Sequence, residues 1–310
     1  MHISVVIPTY NRRPILEKCL DALEHQDPSG EIEDYEVIVV DDGSTDGTPD
    51  WLRQGAARYP HVRLVEQRHG GPAEGRNRGV DHAKGDVILF IDSDLVVCDG
   101  FLASHSRALS RSWNRQGNRL CFTYGAVINT ANFDRPKDER HKLRDLSWAY
   151  FATGNVAIDR QVLEKAGLFD LSFRLYGWED LELGERLRQM GVSLVKCPEA
   201  VGYHWHPAFR LEQIPDLIRV ERERARMGLV FYRKHPSRRV RFIIQFTWLH
   251  RLLWFVLTLG GLLNERSLRP LMAWLIQKGQ PSLALELLRL PLNRIGVEAL
   301  YREARQRGLS

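Results

Sequence analysis

The sequence predicts an α/β protein: a mostly parallel sheet with helices on both faces, followed by a helical C-terminal region. Three observations predict it. Short, largely apolar runs recur at residues 3–7, 37–40, 62–65 and 87–91, with segments of helical spacing between them. Three of these runs end in polar motifs. After Pro207 the chain reads as helix alone.

Ile3-Ser4-Val5-Val6-Ile7 is a buried strand that ends at Pro8. Residues 15–23 follow with helical spacing through Ile15, Leu16, Cys19, Leu20 and Leu23. The second strand, residues 37–40, runs into Asp41-Asp42-Gly43-Ser44-Thr45-Asp46-Gly47, a turn of residues that bond their own backbone or tolerate left-handed geometry. Residues 51–59 read as a helix, 62–65 as the third strand, 73–83 as a helix and 87–91 as the fourth strand. Such strands suit a parallel sheet covered on both faces. Open sheets of this kind bind ligands outside the carboxyl ends of their strands. Thr9-Tyr10-Asn11, Asp41-Asp42 and Asp92-Ser93-Asp94 all stand at such ends, so three strands deliver polar groups to one rim.

Residues 113–145 are polar, Arg-rich and weakly periodic apart from a strand at 120–128. Residues 151–206 complete the first domain, and helices are expected at 214–234, 242–263, 268–278, 282–288 and 297–307. The domain boundary is placed at residue 210, giving a first domain over 1–210 and a helical extension over 211–310.

A hydrophobic content of 44% over 310 residues is ample for a core and excludes disordered, collagen-like and disulfide-scaffold classes. Cys19, Cys98, Cys121 and Cys197 lie far apart and form no C-x-x-C pair, so reduced thiols and a cytoplasmic setting are expected. The first apolar run lacks the basic flank and cleavage site of a secretory leader. The net charge is +5, and the arginines cluster between Arg219 and Arg241. That cluster attracts phosphates, or forms a solvated helix face offset in its first half by Glu221 and Glu223. Residues 242–263 are apolar but carry His250 and Arg251. A spanning helix needs about 20 apolar residues, and a central arginine is costly there. A buried or interface-lying helix is expected instead, with residues 219–263 making peripheral contact with the inner face of a membrane. Nucleic acid is not an expected partner.

Asp92-Ser93-Asp94 directly follows an apolar strand. Two carboxylates so placed share a hard divalent cation, Mn²⁺ or Mg²⁺, and nearby ribose hydroxyls; elsewhere a D-x-D is commonly a turn. Asp42 is a helix cap or an acceptor for a nucleobase N–H. Arg76, in Gly75-Arg76-Asn77-Arg78-Gly79 at a helix start, suits a diphosphate, as does Arg78 unless it is merely a surface arginine. Trp178-Glu179-Asp180 opens an amphipathic helix. Its acids compensate the helix dipole, or one of them accepts a hydroxyl proton beside a sugar site. In Tyr203-His204-Trp205-His206, extended backbone points both histidines to one side, and imidazole ligates Mn²⁺ as well as zinc.

Taken in order, Ser4-Val5-Val6-Ile7-Pro8-Thr9-Tyr10-Asn11, Val39-Val40-Asp41-Asp42-Gly43-Ser44-Thr45-Asp46, Arg76-Asn77-Arg78-Gly79, Asp92-Ser93-Asp94 and Gly177-Trp178-Glu179-Asp180 resemble the family 2 glycosyltransferases, whose fold is called GT-A. The resemblance spans roughly residues 1–210. It implies an inverting, nucleotide-sugar-dependent transfer to an acceptor that is a glycan, a lipid-linked sugar or a small molecule. It further implies that Pro8, Tyr10 and Asp42 hold the uridine, with Arg76 at the diphosphate and Asp92 at the ribose or metal. Asp94 and His204 would bind the metal. Asp180 would be the base, with Glu179 at the acceptor. Thr153-Gly154-Asn155 looks like the acceptor-side loop, which adds Gly154, Asn155 and Trp178 to the acceptor-binding set. The Q-x-x-R-W motif of the family's processive synthases is absent, which argues for addition of one or a few sugars. Competing readings are a sugar-phosphate nucleotidyltransferase, which usually carries a glycine-rich loop after its first strand, and a non-catalytic nucleotide-sugar-binding protein.

Overall fold

A computed structural model describes residues 1–27, 32–140 and 149–308. Residues 141–145 of the polar stretch noted above lie outside it. The chain divides into two compact units: Met1–Leu171 with Glu179–His206, and Ser172–Trp178 with Pro207–Ser310.

The first unit is a mixed eight-stranded sheet. Its strands are β1 (His2–Thr9), β2 (Asp34–Asp41), β3 (Val62–Glu66), β4 (Val87–Ile91), β5 (Leu95–Val97), β6 (Cys121–Thr130), β7 (Asn155–Asp159) and β8 (Ser193–Trp205), in the order β3-β2-β1-β4-β7-β6-β8-β5. Pairing is parallel from β3 through β2 and β1 to β4, and again between β6 and β8. β7 runs antiparallel to β4 and β6, and β5 antiparallel to β8. The helices are α1 (Arg13–Glu24), α2 (Thr48–Gln54), α3 (Pro72–His82), α4 (Phe101–Gln116), α5 (Arg160–Ala166) and α6 (Glu179–Gln189).

Alternation along the strands explains why both faces are covered. Ile3, Val5, Ile7, Val37, Val39, Leu89 and Ile91 pack with Leu16, Leu20 and Leu23 of α1 and Phe101 of α4. Val6, Ile38, Val40, Ile88 and Phe90 pack on the opposite face with Val80 of α3, Leu163 of α5 and Leu183 of α6. A strand buried on both faces has no place for a polar alternation, hence the continuous apolar runs.

Some expected elements differ. The helix expected over 51–59 is α2, which starts earlier and stops at Gln54. Pro49 suits its first turn, and Gly55 weakens its continuation. Trp113, expected in irregular chain, lies in the last turn of the sixteen-residue α4.

The second unit contains α7 (Ile214–Lys234), α8 (Arg238–Ile243), α9 (Trp248–Leu257), α10 (Arg269–Gln277) and α11 (Pro281–Gln306). The single helix expected over 242–263 is broken. Gln245 has a φ of 61°, and Leu259, Gly260 and Gly261 also have positive φ. Conversely, the two helices expected at 282–288 and 297–307 are one, running through Pro291. A mid-helix proline costs about 3 kcal/mol. Burial of Leu288, Pro291, Leu292, Val297 and Leu300 along the same helix offsets that cost.

Candidate active site

The rim at the carboxyl ends of β1, β2 and β4 is built by loops that tie to one another. Asn11, in the left-handed region at φ 52°, receives the Thr45 N–H on its Oδ1 (2.8 Å) and donates its own N–H to Ser44 Oγ (2.9 Å). This fixes the turn after β1 against the turn after β2. Beside it Tyr10 is exposed, its ring 4.4 Å from that of His69.

Asp42 is buried and closely bonded. It accepts from Gln67 Nε2 (2.7 Å), Gly70 N (2.8 Å) and Gly71 N (2.9 Å), and His69 Nδ1 lies 2.9 Å from its Oδ2. A carboxylate has about four acceptor positions, so contact with a base requires one donor to leave. Of the two side-chain donors, His69 is the exposed one.

Packing sets α3 in place. A Cβ on Gly79 would lie 2.3 Å from Val6 Cγ1, and one on Gly75 would lie 3.1 Å from Pro8 Cβ. Glycine at both positions lets the helix lie close on β1. Arg76, between them in sequence, is thereby buried, and Asn77 is clamped to the backbone of Phe169 (2.8 and 2.9 Å). Arg78 is exposed. Arg76 Nη2 donates to Asp92 Oδ1 (3.1 Å), and its Nη1 lies 3.7 Å from Glu179 Oε1.

Antiparallel pairing of β5 with β8 sets Leu95 opposite His204, which brings that imidazole to the second aspartate of the motif. His204 Nε2 lies 2.8 Å from Asp94 Oδ1 and 3.9 Å from Asp92 Oδ2. His206 Nε2 lies 3.1 Å from His204 Nδ1. Arg12 Nη1 donates to Asp94 Oδ2 (3.0 Å).

The titrations follow. Burial alone would raise the Asp94 carboxyl, but the His204 hydrogen bond and the His204 and Arg12 charges outweigh it and hold the group below its usual value. Burial likewise works against a charged His204, yet its bond to Asp94 and the charges of both aspartates raise it. His206 is pushed down to about 4 by burial and by the His204 charge. The bond to Asp94 thus favours a protonated His204, in which both ring nitrogens donate and His206 can accept. One ligand atom each from Asp94, His204 and His206 lies within 4.8 Å of the others. Carboxylate oxygen with two imidazole nitrogens is a donor set that fits Mn²⁺. The cluster already draws in positive charge from Arg12.

Asp180 lies in the first turn of α6. Burial, then the like charge of Glu179, raises its carboxyl to about 6, with Arg76 opposing. Thr9 Oγ1, Arg76 Nε and Glu179 Oε2 are buried with no hydrogen-bond partner among the described residues. Such groups are costly to leave unpaired and offer bonding capacity to a polar ligand. Asp94, His204, Asp92, Arg76 and Glu179 thus form one continuous series of contacts, ending beside Asp180.

The acceptor-side residues are distributed differently. Gly154 is close to the site: a Cβ there would lie 3.2 Å from Asp92 Oδ2. Asn155, expected to bind acceptor, is fully buried instead. Its Nδ2 donates to the carbonyls of Ala126 (3.1 Å) and Ala200 (2.9 Å), and its Oδ1 faces His105 Nε2 (2.8 Å). Burial lowers His105 to about 4. The neutral ring donates from Nε2 and accepts from Thr123 Oγ1 at Nδ1 (2.7 Å), so the amide has no free group to offer. Trp178 sits at a φ of 79°, rare for a bulky residue. Its Nε1 donates to the Arg224 carbonyl (2.7 Å), and the Arg224 guanidinium covers its ring at 5.1 Å.

Arg12 and His69 in the site, and His206 as a ligand, are not singled out by sequence. Alternation with His204 was the available signal for His206. Arg12 carries none, since basic residues beside a helix start are common on surfaces.

The model of glycosyl transferase family 2 matches residues 4–167, more than half of the chain. The chain belongs to this family. Asp180, His204 and His206 lie beyond the matched span. As a family 2 member it is a glycosyltransferase, and its fold is GT-A. It is 27% identical over 274 residues to the uncharacterized glycosyltransferase YfnE of Bacillus subtilis, covering 70% of this chain and 68% of the relative. It is also 27% identical over 271 residues to a validoxylamine A glucosyltransferase of Streptomyces hygroscopicus, covering 76% of this chain and 61% of that one. Among solved structures it is similar to the mannosyltransferase PcManGT of Pyrobaculum calidifontis in complex with GDP-Man and Mn²⁺. The TM-score is 0.63 at 23% identity, over 98% of this chain and 87% of that one.

Proposed function

We propose that residues 1–210 form an inverting, metal-dependent and non-processive transferase, with residues 211–310 as a helical extension. The reaction moves a sugar from a UDP-sugar, or another nucleotide sugar, to an acceptor hydroxyl on a glycan, a lipid-linked sugar or a small molecule. The setting is the cytoplasm or the inner face of a membrane. The observation that carries this reading is the unbroken series of contacts from the Asp94–His204–His206 cluster through Asp92 and Arg76 to Glu179, beside the raised carboxyl of Asp180.

In this reading the nucleobase lies against Tyr10 and Pro8 and displaces His69, the exposed side-chain donor, from Asp42. Arg76 turns its unpartnered N–H groups to the diphosphate. Asp92 takes the ribose, and Asp94 with His204 and His206 holds Mn²⁺ or Mg²⁺. When bound, such a cation supplies neutralising charge for the leaving diphosphate. Arg12, released from Asp94, adds a second positive group to the same charge. Asp180 accepts the acceptor hydroxyl proton while the oxygen bonds to the anomeric carbon from the face opposite the diphosphate. The bond to the diphosphate oxygen breaks and its electron pair leaves with the nucleotide, inverting the centre. Glu179 and the backbone at Gly154 position the acceptor.

Asp180→Asn tests the assignment. UDP binding, read by titration calorimetry, stays as in the parent, while transfer falls by about 10²–10⁴-fold, the usual worth of a positioned base. Parent-level transfer by this variant rules out the mechanism. A parent that binds nucleotide sugar without ever turning it over is a binder and not an enzyme.

A further inference from the structure

The catalytic reading leaves α9 unexplained. Its sequence, Trp248–Leu257, is one of the most apolar in the protein, yet none of its residues is buried. Trp248 is 72% exposed, and Leu249, Leu252, Leu253, Phe255, Val256 and Leu257 are exposed with it. The exposed apolar character continues through Leu259 and Leu262 (74%) to Leu271 and Trp274 of α10. Monomeric soluble proteins rarely show contiguous apolar surface beyond a few hundred Å² without a use for it. Helices α9 and α10 both pack against α11, so the second unit holds them in place while these side chains face outward.

Charge identifies the occupant. Between Arg224 and Glu265 the chain has no acidic residue, but it carries Arg226, Arg233, Lys234, Arg238, Arg239, Arg241 and Arg251. Arg266, Arg269 and Lys278 follow, with no further acid until Glu286. Ion pairs are made by three of the earlier arginines: Arg219 with Asp216 and Glu223, Arg224 with Glu221, and Arg226 with Glu303. Over residues 225–285 the chain thus carries ten basic residues against one acid, so the segments that hold the apolar surface are positive on balance. A second copy of this chain would set that charge against itself. An anionic bilayer complements both features at once, with tryptophans at Trp248 and Trp274 suited to the headgroup level.

We propose that α9, α10 and the segment between them dock on the surface of an anionic membrane, lying in the interface and not crossing it. The stretch Arg238–Leu257 reaches a mean hydropathy of 1.3 in its best window, enough for a span on composition alone. Its backbone breaks at Gln245, and the chain breaks again just beyond it at Leu259–Gly261. A lipid-exposed break leaves unpaired backbone groups, which a bilayer interior does not tolerate but its interface does. Ten residues of α9 extend about 15 Å, half of a hydrocarbon core.

The test is flotation of the whole chain with vesicles of phosphatidylcholine alone and of phosphatidylcholine with phosphatidylglycerol. Binding is expected to the anionic vesicles, weaker in 1 M salt, where the Debye length is about 3 Å. Trp248→Glu/Leu252→Glu, exposed on the folded chain, is expected to weaken partitioning by at least about ten-fold. Its melting temperature and UDP binding are expected to match the parent. Absence of vesicle binding by the parent overturns the proposal, as does equal binding by the variant. A parent that is dimeric in solution, becomes monomeric in the variant and ignores vesicles assigns the patch to self-association instead. Equal binding to neutral vesicles overturns the anionic assignment. Partitioning is read without any transfer assay, so this outcome is separate from that of the catalytic reading.

Discussion

Asp180 and Glu179 are neighbours with different surroundings. Burial of Asp180 and repulsion from Glu179 place its proton near pH 6. A base must be ionised to accept a proton, so kcat/KM should rise about ten-fold per pH unit below 6 and level off above it. In Glu179→Gln the like charge is gone, the Asp180 carboxyl falls, and the plateau should begin at lower pH. PH–rate profiles of the two proteins check this, and superimposable profiles would deny the coupling. Asp42 is a second case of surroundings deciding a role. Its sequence context allows a cap or a base contact, while its position gives it four donors from the Gln67–Gly71 loop. Access to it therefore runs through His69.

At the scale of elements, the site depends on how closely α3 lies on β1. Gly79→Val puts a branched side chain where even a Cβ would be 2.3 Å from Val6 Cγ1. Overpacking of this kind costs about 1–3 kcal/mol, and relief requires α3 to move with Arg76 on it. The expected result is a lower melting temperature together with weaker UDP binding. Arg78→Ala, on the exposed side of the same helix, should change neither. Melting curves paired with UDP titrations separate the two. Strand β6 carries a similar constraint. Its register shifts at Gly125, where a Cβ would meet Asn155 Nδ2 at 2.3 Å and the Ala200 carbonyl at 2.4 Å. That close approach lets Asn155 join β6 and β8, which explains why an asparagine that looks available in sequence is structural in the fold.

For the molecule as a whole, nucleotide, cation and fold are linked. A ligand that binds only the folded state at 100 times its Kd adds about 2.7 kcal/mol of stability. UDP with Mn²⁺ should therefore raise the melting temperature, and EDTA or Asp94→Ala should abolish most of that rise. Stabilisation by UDP that persists in EDTA would remove the metal from the reading. The legible part of this machinery was the part encoded over short distances. The apolar runs of β1, β2 and β4 announce buried strands, and Asp92 and Asp94 announce carboxylates at a strand end. The signal was weakest where pairing partners are remote, as with Arg12 and Asp94, 82 positions apart.

Local sequence by itself determined the two-faced sheet, the rim position of its polar motifs and the family, because strand periodicity and turn chemistry act within a few residues. Tertiary structure alone decided that His206 joins His204 beside Asp94, that Asn155 is sealed in the core, and that the apolar stretch near residue 250 breaks and stays uncovered. Those outcomes depend on which surfaces meet after the chain has closed on itself, and packing over such distances leaves no mark in a window of neighbouring residues.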